Sequence, residues 1–142
     1  MPTRTEIADL ARSYLGTPWR HQGRSKKGVD CVGLVIAVAM DAGILPRDHP
    51  IPPYSRFPDN RLQDYFCSHL VRIPPRQMKN GSVLLFSFHG APWHAGIVVD
   101  VHARAIVHAF ASARKVVYDY ADSRAHGRKL FAAFDYPGVT DG

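Results

Sequence analysis

An α+β fold with an antiparallel sheet follows from three features of this 142-residue chain. Apolar residues at helical spacing are confined to roughly the first 70 positions, and short runs of β-branched and aromatic residues separated by turn signals fill the rest. Helices that precede strands, instead of alternating with them, exclude the parallel sheet of an α/β protein. The length is that of one domain, residues 1–142, able to bury roughly two thirds of the surface its extended chain exposes.

The elements follow in order. Thr3-Arg4-Thr5-Glu6 has the form of a capping box, and Ile7, Leu10, Ala11 and Tyr14 then repeat at helical spacing, which predicts a helix over 4–15, before Gly16. Gly16 to Gly28 reads as a loop. Val32 to Ala42 is almost wholly apolar and ends at Gly43, the pattern of a central helix covered by a sheet on one side and by helices or loops elsewhere. Five of the eleven prolines fall in 46–58, so an extended connector is expected there. Leu62, Tyr65, Phe66 and His69 fit a third helix capped by Asp59 or Asn60, with Cys67 as a small buried residue within it. Strands are expected at Val83–Phe88, Ala95–Val101, Ala105–Phe110, Lys115–Tyr118 and Leu130–Tyr136.

Composition narrows the function. Two cysteines, Cys31 and Cys67, do not make a disulfide framework. The amino terminus lacks a basic segment followed by a long apolar run, and no later stretch approaches the roughly 18 apolar residues of a membrane span. Cytoplasmic synthesis without a membrane partner is the expectation. The net charge of +6 suits an anionic partner such as nucleic acid, cell-wall polymer or acidic peptide. Nucleic acid is supported by charge alone, with no recognition motif.

The chemistry concentrates at Cys31, in Gly28-Val29-Asp30-Cys31-Val32-Gly33-Leu34. A thiol on the first turn of a helix meets unpaired N–H groups and the positive end of the helix dipole, which predicts a pKa below the usual value of about 8.5. Asp30 opposes that shift by its charge and is expected to cap the helix. His94 and His108 lie in two consecutive strand-like runs, so nucleophile, base and orienting group are all present. Whether the histidines meet is a question of parity. A two-residue turn at His102-Ala103 would pair Ile97 with His108 and put the imidazoles on opposite faces. A three-residue loop, Val101-His102-Ala103, would pair Gly96 with His108 and leave His94 diagonal to it, at the roughly 7–8 Å over which long side chains touch. Gly96 would leave room for the rings. In this arrangement Cys31 attacks a carbonyl carbon, His94 takes the thiol proton and later protonates the leaving amine, His108 orients His94, and the Cys31 N–H donates to the oxyanion.

At these residues the chain resembles the NlpC-type cell-wall peptidases, a papain-like family of cysteine endopeptidases. The likeness runs through Leu15-Gly16-Thr17-Pro18-Trp19, Asp30-Cys31-Val32-Gly33-Leu34, Gly81-Ser82-Val83-Leu84-Leu85-Phe86, His94-Ala95-Gly96-Ile97 and Ile106-Val107-His108-Ala109. The resemblance implies a papain-like fold, with the nucleophile helix packed on an antiparallel sheet, and a nucleophile, base and third polar member at Cys31, His94 and His108. It implies a peptidoglycan stem peptide as substrate, cut after D-glutamate at a bond to a diamino acid, with no cofactor. Arg20-His21-Gln22 resembles members encoded by tailed phages, which implies tail proteins as partners and delivery to the wall. Three positions depart from the pattern. Trp19 stands where the family usually has a tyrosine whose hydroxyl lies near the reacting carbonyl, Ser82 replaces a frequent aspartate, and Val32 replaces a common serine.

Further residues flank these segments. His21 and His89 lie in loops beside them and are candidates for substrate contact or plain solvent exposure, while Trp93 either lines a cleft or packs in the core. With Trp19 and Asp30, His21 and Trp93 form the expected substrate-binding set. Other functions remain open: acyl transfer by the same three residues, a tail-structural or wall-binding module with a vestigial site, or zinc held by Cys31, His94 and His108. The last lacks close paired ligands such as Cys-x-x-Cys, so no metal is expected.

Overall fold

The computed structural model describes residues 1–50, 61–88 and 91–141. The connector beyond residue 50, the expected caps Asp59 and Asn60, and His89 lie outside the described residues.

Helix α1 (Arg4–Arg12) begins as its sequence predicts, with Thr3 Oγ1 accepting from the Glu6 N–H at 3.1 Å. It ends at Arg12 instead of 15, because the chain tightens there into i→i+3 bonds from Tyr14 to Ala11 and from Leu15 to Arg12. The expected loop to Gly28 contains a small hairpin, β1 (Arg24–Ser25) against β2 (Gly28–Val29), too short to show any period in the sequence. Helix α2 (Cys31–Asp41) is buried at every position from Val32 to Met40. Two hydroxyls fix it: Tyr14 Oη donates to Asp41 Oδ2 at 2.7 Å, and Tyr136 Oη donates to the Val35 carbonyl at 2.7 Å. Helix α3 (Arg61–His69) turns Phe66 inward, edge-on to Phe134 at 5.6 Å. The next residue is rotated by about 100°, so Cys67 is exposed, not buried as expected.

The strands are β3 (Val71–Ile73), β4 (Val83–Phe88), β5 (Ala91–Asp100), β6 (Ala105–Phe110), β7 (Lys115–Tyr120) and β8 (Arg128–Asp135). They form one six-stranded sheet, ordered β3-β8-β4-β5-β6-β7, with every neighbouring pair antiparallel. The architecture is therefore α+β, as the sequence predicts. The three-residue β3 went unpredicted. β5 starts at Ala91 instead of Ala95, β7 runs on to Tyr120, and β8 lies two residues earlier at its start than expected.

One face of the sheet, including Val83, Leu85, Ala95, Ile97, Val107 and Phe134, packs against α1 and α2. The other carries a second apolar cluster built on Leu84, Phe86, Val98, Ile106 and Ala133. No helix among the described residues is long and apolar enough to cross a membrane.

Candidate functional site

The site begins with the register of β5 on β6. Ile97 pairs with Val107 and Val98 with Ile106, but Asp100 pairs with Ala105, so an irregularity lies between Val98 and Asp100. The connection is a four-residue turn, Val101 to Arg104, closed by the Arg104 N–H on the Val101 carbonyl at 3.0 Å, with Arg104 at φ 53°. The expected three-residue loop is thus incorrect. A four-residue turn alone would have reversed the parity, and the one-residue bulge restores it. His94 and His108 consequently meet, His94 Nε2 lying 2.6 Å from His108 Nδ1. Gly96 is the residue that permits this approach. A Cβ there would stand 3.1 Å from Ile106 Cδ1 and 3.3 Å from His108 Cβ.

Both rings sit among phenylalanines. His94 lies 5.6 Å from Phe88 and 5.9 Å from Phe110, and His108 stacks on Phe110 at 5.2 Å. Burial, then the neighbouring His108 and the Arg128 guanidinium, hold His94 well below its usual 6.5. Burial and Arg128 lower His108 to about 4, against the raising effect of Asp119. At neutral pH both rings are uncharged, and one hydrogen must lie between His94 Nε2 and His108 Nδ1.

Cys31 opens α2 on the other side. Asp30 caps the helix as expected, its Oδ1 accepting from the Gly33 N–H at 2.7 Å. Its Oδ2 accepts from the Gln22 N–H at 2.7 Å and lies 3.7 Å from His21 Nδ1. Asp30 therefore ties the 20–23 loop to the start of α2, and His21 is drawn to that cap. The loop presses so closely on α2 that a Cβ on Gly33 would overlap the Gly23 carbonyl oxygen. The sulfur faces β5 at the backbone flanking His94, with Sγ 3.9 Å from the Trp93 carbonyl oxygen.

The resting thiol contradicts the expectation drawn from its helix position. Burial and then the Asp30 charge push Cys31 up to about 12, while the backbone N–H groups of Ala95, Val32 and Cys31 itself oppose them less strongly. Removal from water outweighs the helix N-terminus, and among the described residues no cation offsets it. At neutral pH the site holds a neutral thiol and neutral imidazoles.

The remaining expected residues lie on segments that adjoin Cys31 and His94 in the chain or in the fold. Trp19 is partly buried against the main core, its segment bridged to Val29, two residues before Cys31. Trp93 is partly buried against Phe88 at 5.3 Å, and its indole Nε1 is shut from solvent without a hydrogen-bond partner. The Tyr65 hydroxyl is in the same condition; these are the two such side-chain atoms among the described residues. Tyr65 and Cys31 pack on one small cluster, Val32, Ile36 and Met40. Burial raises the Tyr65 pKa, with Arg24 opposing. An orphaned buried donor costs about 1–3 kcal/mol, and these two belong to residues that contact Cys31, Trp93 through its carbonyl and Tyr65 through the shared apolar cluster. Sequence reasoning missed Tyr65, since a tyrosine at helical spacing reads as core. It also missed Asp119 and Arg128, which lie behind His108 and which no local pattern singles out. Ser82 lies elsewhere: its Oγ donates to Asp135 Oδ1 at 2.8 Å, in the cluster where Arg4 grips Asp135 at 2.8 and 2.9 Å.

Comparison with known proteins identifies the fold on which this site is built. The model of the NlpC/P60 family matches residues 16–134. The NlpC/p60 domain of the peptidoglycan hydrolase SagA is 20% identical, with a TM-score of 0.66 over 94% of this chain and 98% of that one. An NlpC/P60 family protein from Bacillus cereus is 20% identical with a TM-score of 0.69; the alignment covers 95% of this chain but only 40% of that longer protein. RipD of Mycobacterium tuberculosis, described as a non-catalytic NlpC/p60 domain protein adapted to peptidoglycan binding, is 12% identical with a TM-score of 0.60, over 94% of this chain and 98% of that one. At such identities these likenesses establish the fold. No curated protein matches the chain.

Proposed function

Because the chain belongs to the NlpC/P60 family, we propose that it is a cysteine peptidase that hydrolyses the peptide stems of peptidoglycan, with Cys31 as nucleophile, His94 as base and His108 as the orienting third member. The observation that carries the reading is the 2.6 Å contact of His94 Nε2 with His108 Nδ1, beside the backbone on which the Cys31 sulfur rests.

The chemistry follows from the resting state. A thiol near 12 and a neutral His94 do not form a standing ion pair, so the proton moves from Sγ to His94 as sulfur attacks the carbonyl carbon. The tetrahedral oxyanion is met by the Cys31 N–H at the start of α2. Collapse breaks the C–N bond, His94 returns its proton to the leaving amine, and a thioester remains. Water then attacks with His94 again as base, releasing the acid and restoring the thiol. Substrate amides and carboxylates supply the acceptors that the Trp93 Nε1–H and the Tyr65 hydroxyl lack in the free protein. Trp19, His21 and Asp30 border the same opening of α2 and complete the substrate-binding set. The scissile bond proposed, D-glutamyl to a diamino acid, and a partnership with phage-tail proteins rest on the sequence resemblance alone.

A second reading, wall binding without turnover, is favoured by one observation: among the described residues no cation lowers the pKa of a thiol so strongly protonated. Mass spectrometry of defined muropeptides separates the two. Cleavage by the wild type and none by a folded Cys31→Ala variant supports the peptidase. Retention on peptidoglycan without cleavage by either supports the binding module, and undiminished turnover by Cys31→Ala removes Cys31 as nucleophile.

A further inference from the structure

We propose that Asp119 and Arg128 extend the site into a relay behind Cys31, in which Asp119 is a positioning residue that fixes the tautomer of His108 and, through it, that of His94. The inference rests on the peptidase reading only for the identity of the atom whose proton His94 accepts.

The contacts leave little freedom. Ile106 pairs with Asp119 and His108 with Val117, so His108 and Asp119 are diagonal neighbours on β6 and β7, as His94 and His108 are on β5 and β6. His108 Nε2 lies 3.1 Å from Asp119 Oδ2. A carboxylate only accepts, so a neutral His108 carries its hydrogen on Nε2 and presents a lone pair at Nδ1. His94 must then donate from Nε2, which leaves the His94 Nδ1 lone pair as the free base. Each neutral imidazole has two tautomers, and this chain of contacts selects one of the four combinations. Without Asp119, nothing selects it.

Arg128 sets the charge at the far end. It opens β8, separated from β7 in the sheet by β4, β5 and β6, yet its guanidinium reaches Asp119 Oδ2 at 3.2 Å because the sheet curls. It is 2% exposed, lies 5.0 Å from the Phe86 ring, and donates to the Tyr120 carbonyl at 2.8 Å and the Ser123 carbonyl at 3.3 Å. Asp119 Oδ1 meanwhile accepts from the Tyr120 N–H at 2.8 Å. Those bonds would suffice to clamp the turn between β7 and β8. The clamp does not require the His108 contact to Asp119 Oδ2, and the tautomer selection does. Among the described residues, the charged or titratable groups around the pair are His94 on β5, His108 on β6, Asp119 on β7, Arg128 on β8, and Cys31 and Asp30 at α2. Asp119 favours a proton on His108 while Arg128 disfavours one on either ring. The two residues therefore have opposite effects on the imidazole pair.

The test uses full-length protein with ¹⁵N-labelled histidine in a Cys31→Ala background, where the imidazole nitrogens report tautomer and protonation without catalysis. The expected spectrum near pH 7 has both rings protonated at Nε2. Asp119→Ala should mix the tautomers of His108 and move its titration to lower pH, and Arg128→Met should move it to higher pH. In otherwise wild-type enzyme, Asp119→Ala should lower kcat by about 10- to 100-fold, a part of the roughly 10²- to 10⁴-fold that a positioned base contributes, with KM changed less than about twofold. Unchanged tautomers in Asp119→Ala, or titrations displaced in the same sense by both substitutions, would overturn the relay. Should Arg128→Met not fold, the tautomers of Asp119→Ala decide alone. If the wild type cleaves no muropeptide, the peptidase reading fails while a tautomer change in Asp119→Ala still upholds the positioning role.

Discussion

The buried imidazole pair should make this protein lose stability in mild acid, before its carboxylates titrate. An unfolded chain binds a proton at each histidine as pH falls through about 6.5. Folded His108, whose side chain is 0% exposed, takes one only near pH 4. A folded-state pKa below the unfolded value means that the stabilisation is complete above about pH 6.5 and is lost as pH falls toward about 4. At about 1.4 kcal/mol for each pH unit, that interval is worth about 3 kcal/mol for His108 alone. His94 is lowered as well and adds to the loss in the same direction. Against a typical total of about 5–15 kcal/mol, the effect is large. Asp135 acts in a separate window. Burial raises its pKa, but Arg4 and Ser82 prevail and hold it below 3.8, so its contribution fades only in stronger acid. The assay is urea denaturation followed by tryptophan fluorescence at intervals from about pH 7.5 to 4.5. The unfolding free energy should fall by roughly 3 kcal/mol or more across that range, and His108→Gln, though less stable at neutrality, should show a shallower slope. A flat profile, or an identical slope in the variant, would refute the argument that the pair is buried uncharged.

Three further outcomes follow from the packing around α2. Alkylation by iodoacetamide, resolved by peptide mass spectrometry, should modify exposed Cys67 well before Cys31 at neutral pH; faster reaction at Cys31 would show that the thiolate is populated at rest. Gly33→Ala places a methyl group on the Gly23 carbonyl and should lower stability by about 1–3 kcal/mol, as overpacking does, displacing the Asp30-capped loop; an unchanged melting temperature would contradict it. Trp93→Phe keeps most of the ring packing and removes the orphaned donor, so it should leave stability equal or higher while raising KM for muropeptides; an unchanged KM would remove Trp93 from the substrate contacts.

Much of this was legible in residue order. The cap at Thr3, the apolar run of α2 and the exact bounds of β4 and β6 are local signals, and local signals survive without tertiary information. Parity also told which histidine faces would have to coincide. It did not disclose how, because a four-residue turn with a bulge and a three-residue loop bring Gly96 opposite His108 equally well. The thiol was misjudged because its helix position is written in the sequence, whereas the burial that dominates its pKa arises from tertiary packing that includes Tyr65 of α3 and the backbone of β5, more than sixty residues away. Asp119 and Arg128 lay beyond reach for the same reason. An alternating strand residue and a basic residue after a turn look like surface, and only the curl of the sheet turns them toward His108.

The central claim is that Cys31 becomes acylated by a peptidoglycan stem peptide. Acid-quenched mass spectrometry of the protein, taken within the first turnovers on a defined muropeptide, tests it directly. The account predicts an adduct equal to the acyl half of the substrate on the peptide that contains Cys31, absent from Cys31→Ala and decaying as product accumulates. Product formed with no adduct at any time, or an adduct that persists in Cys31→Ala, would contradict it.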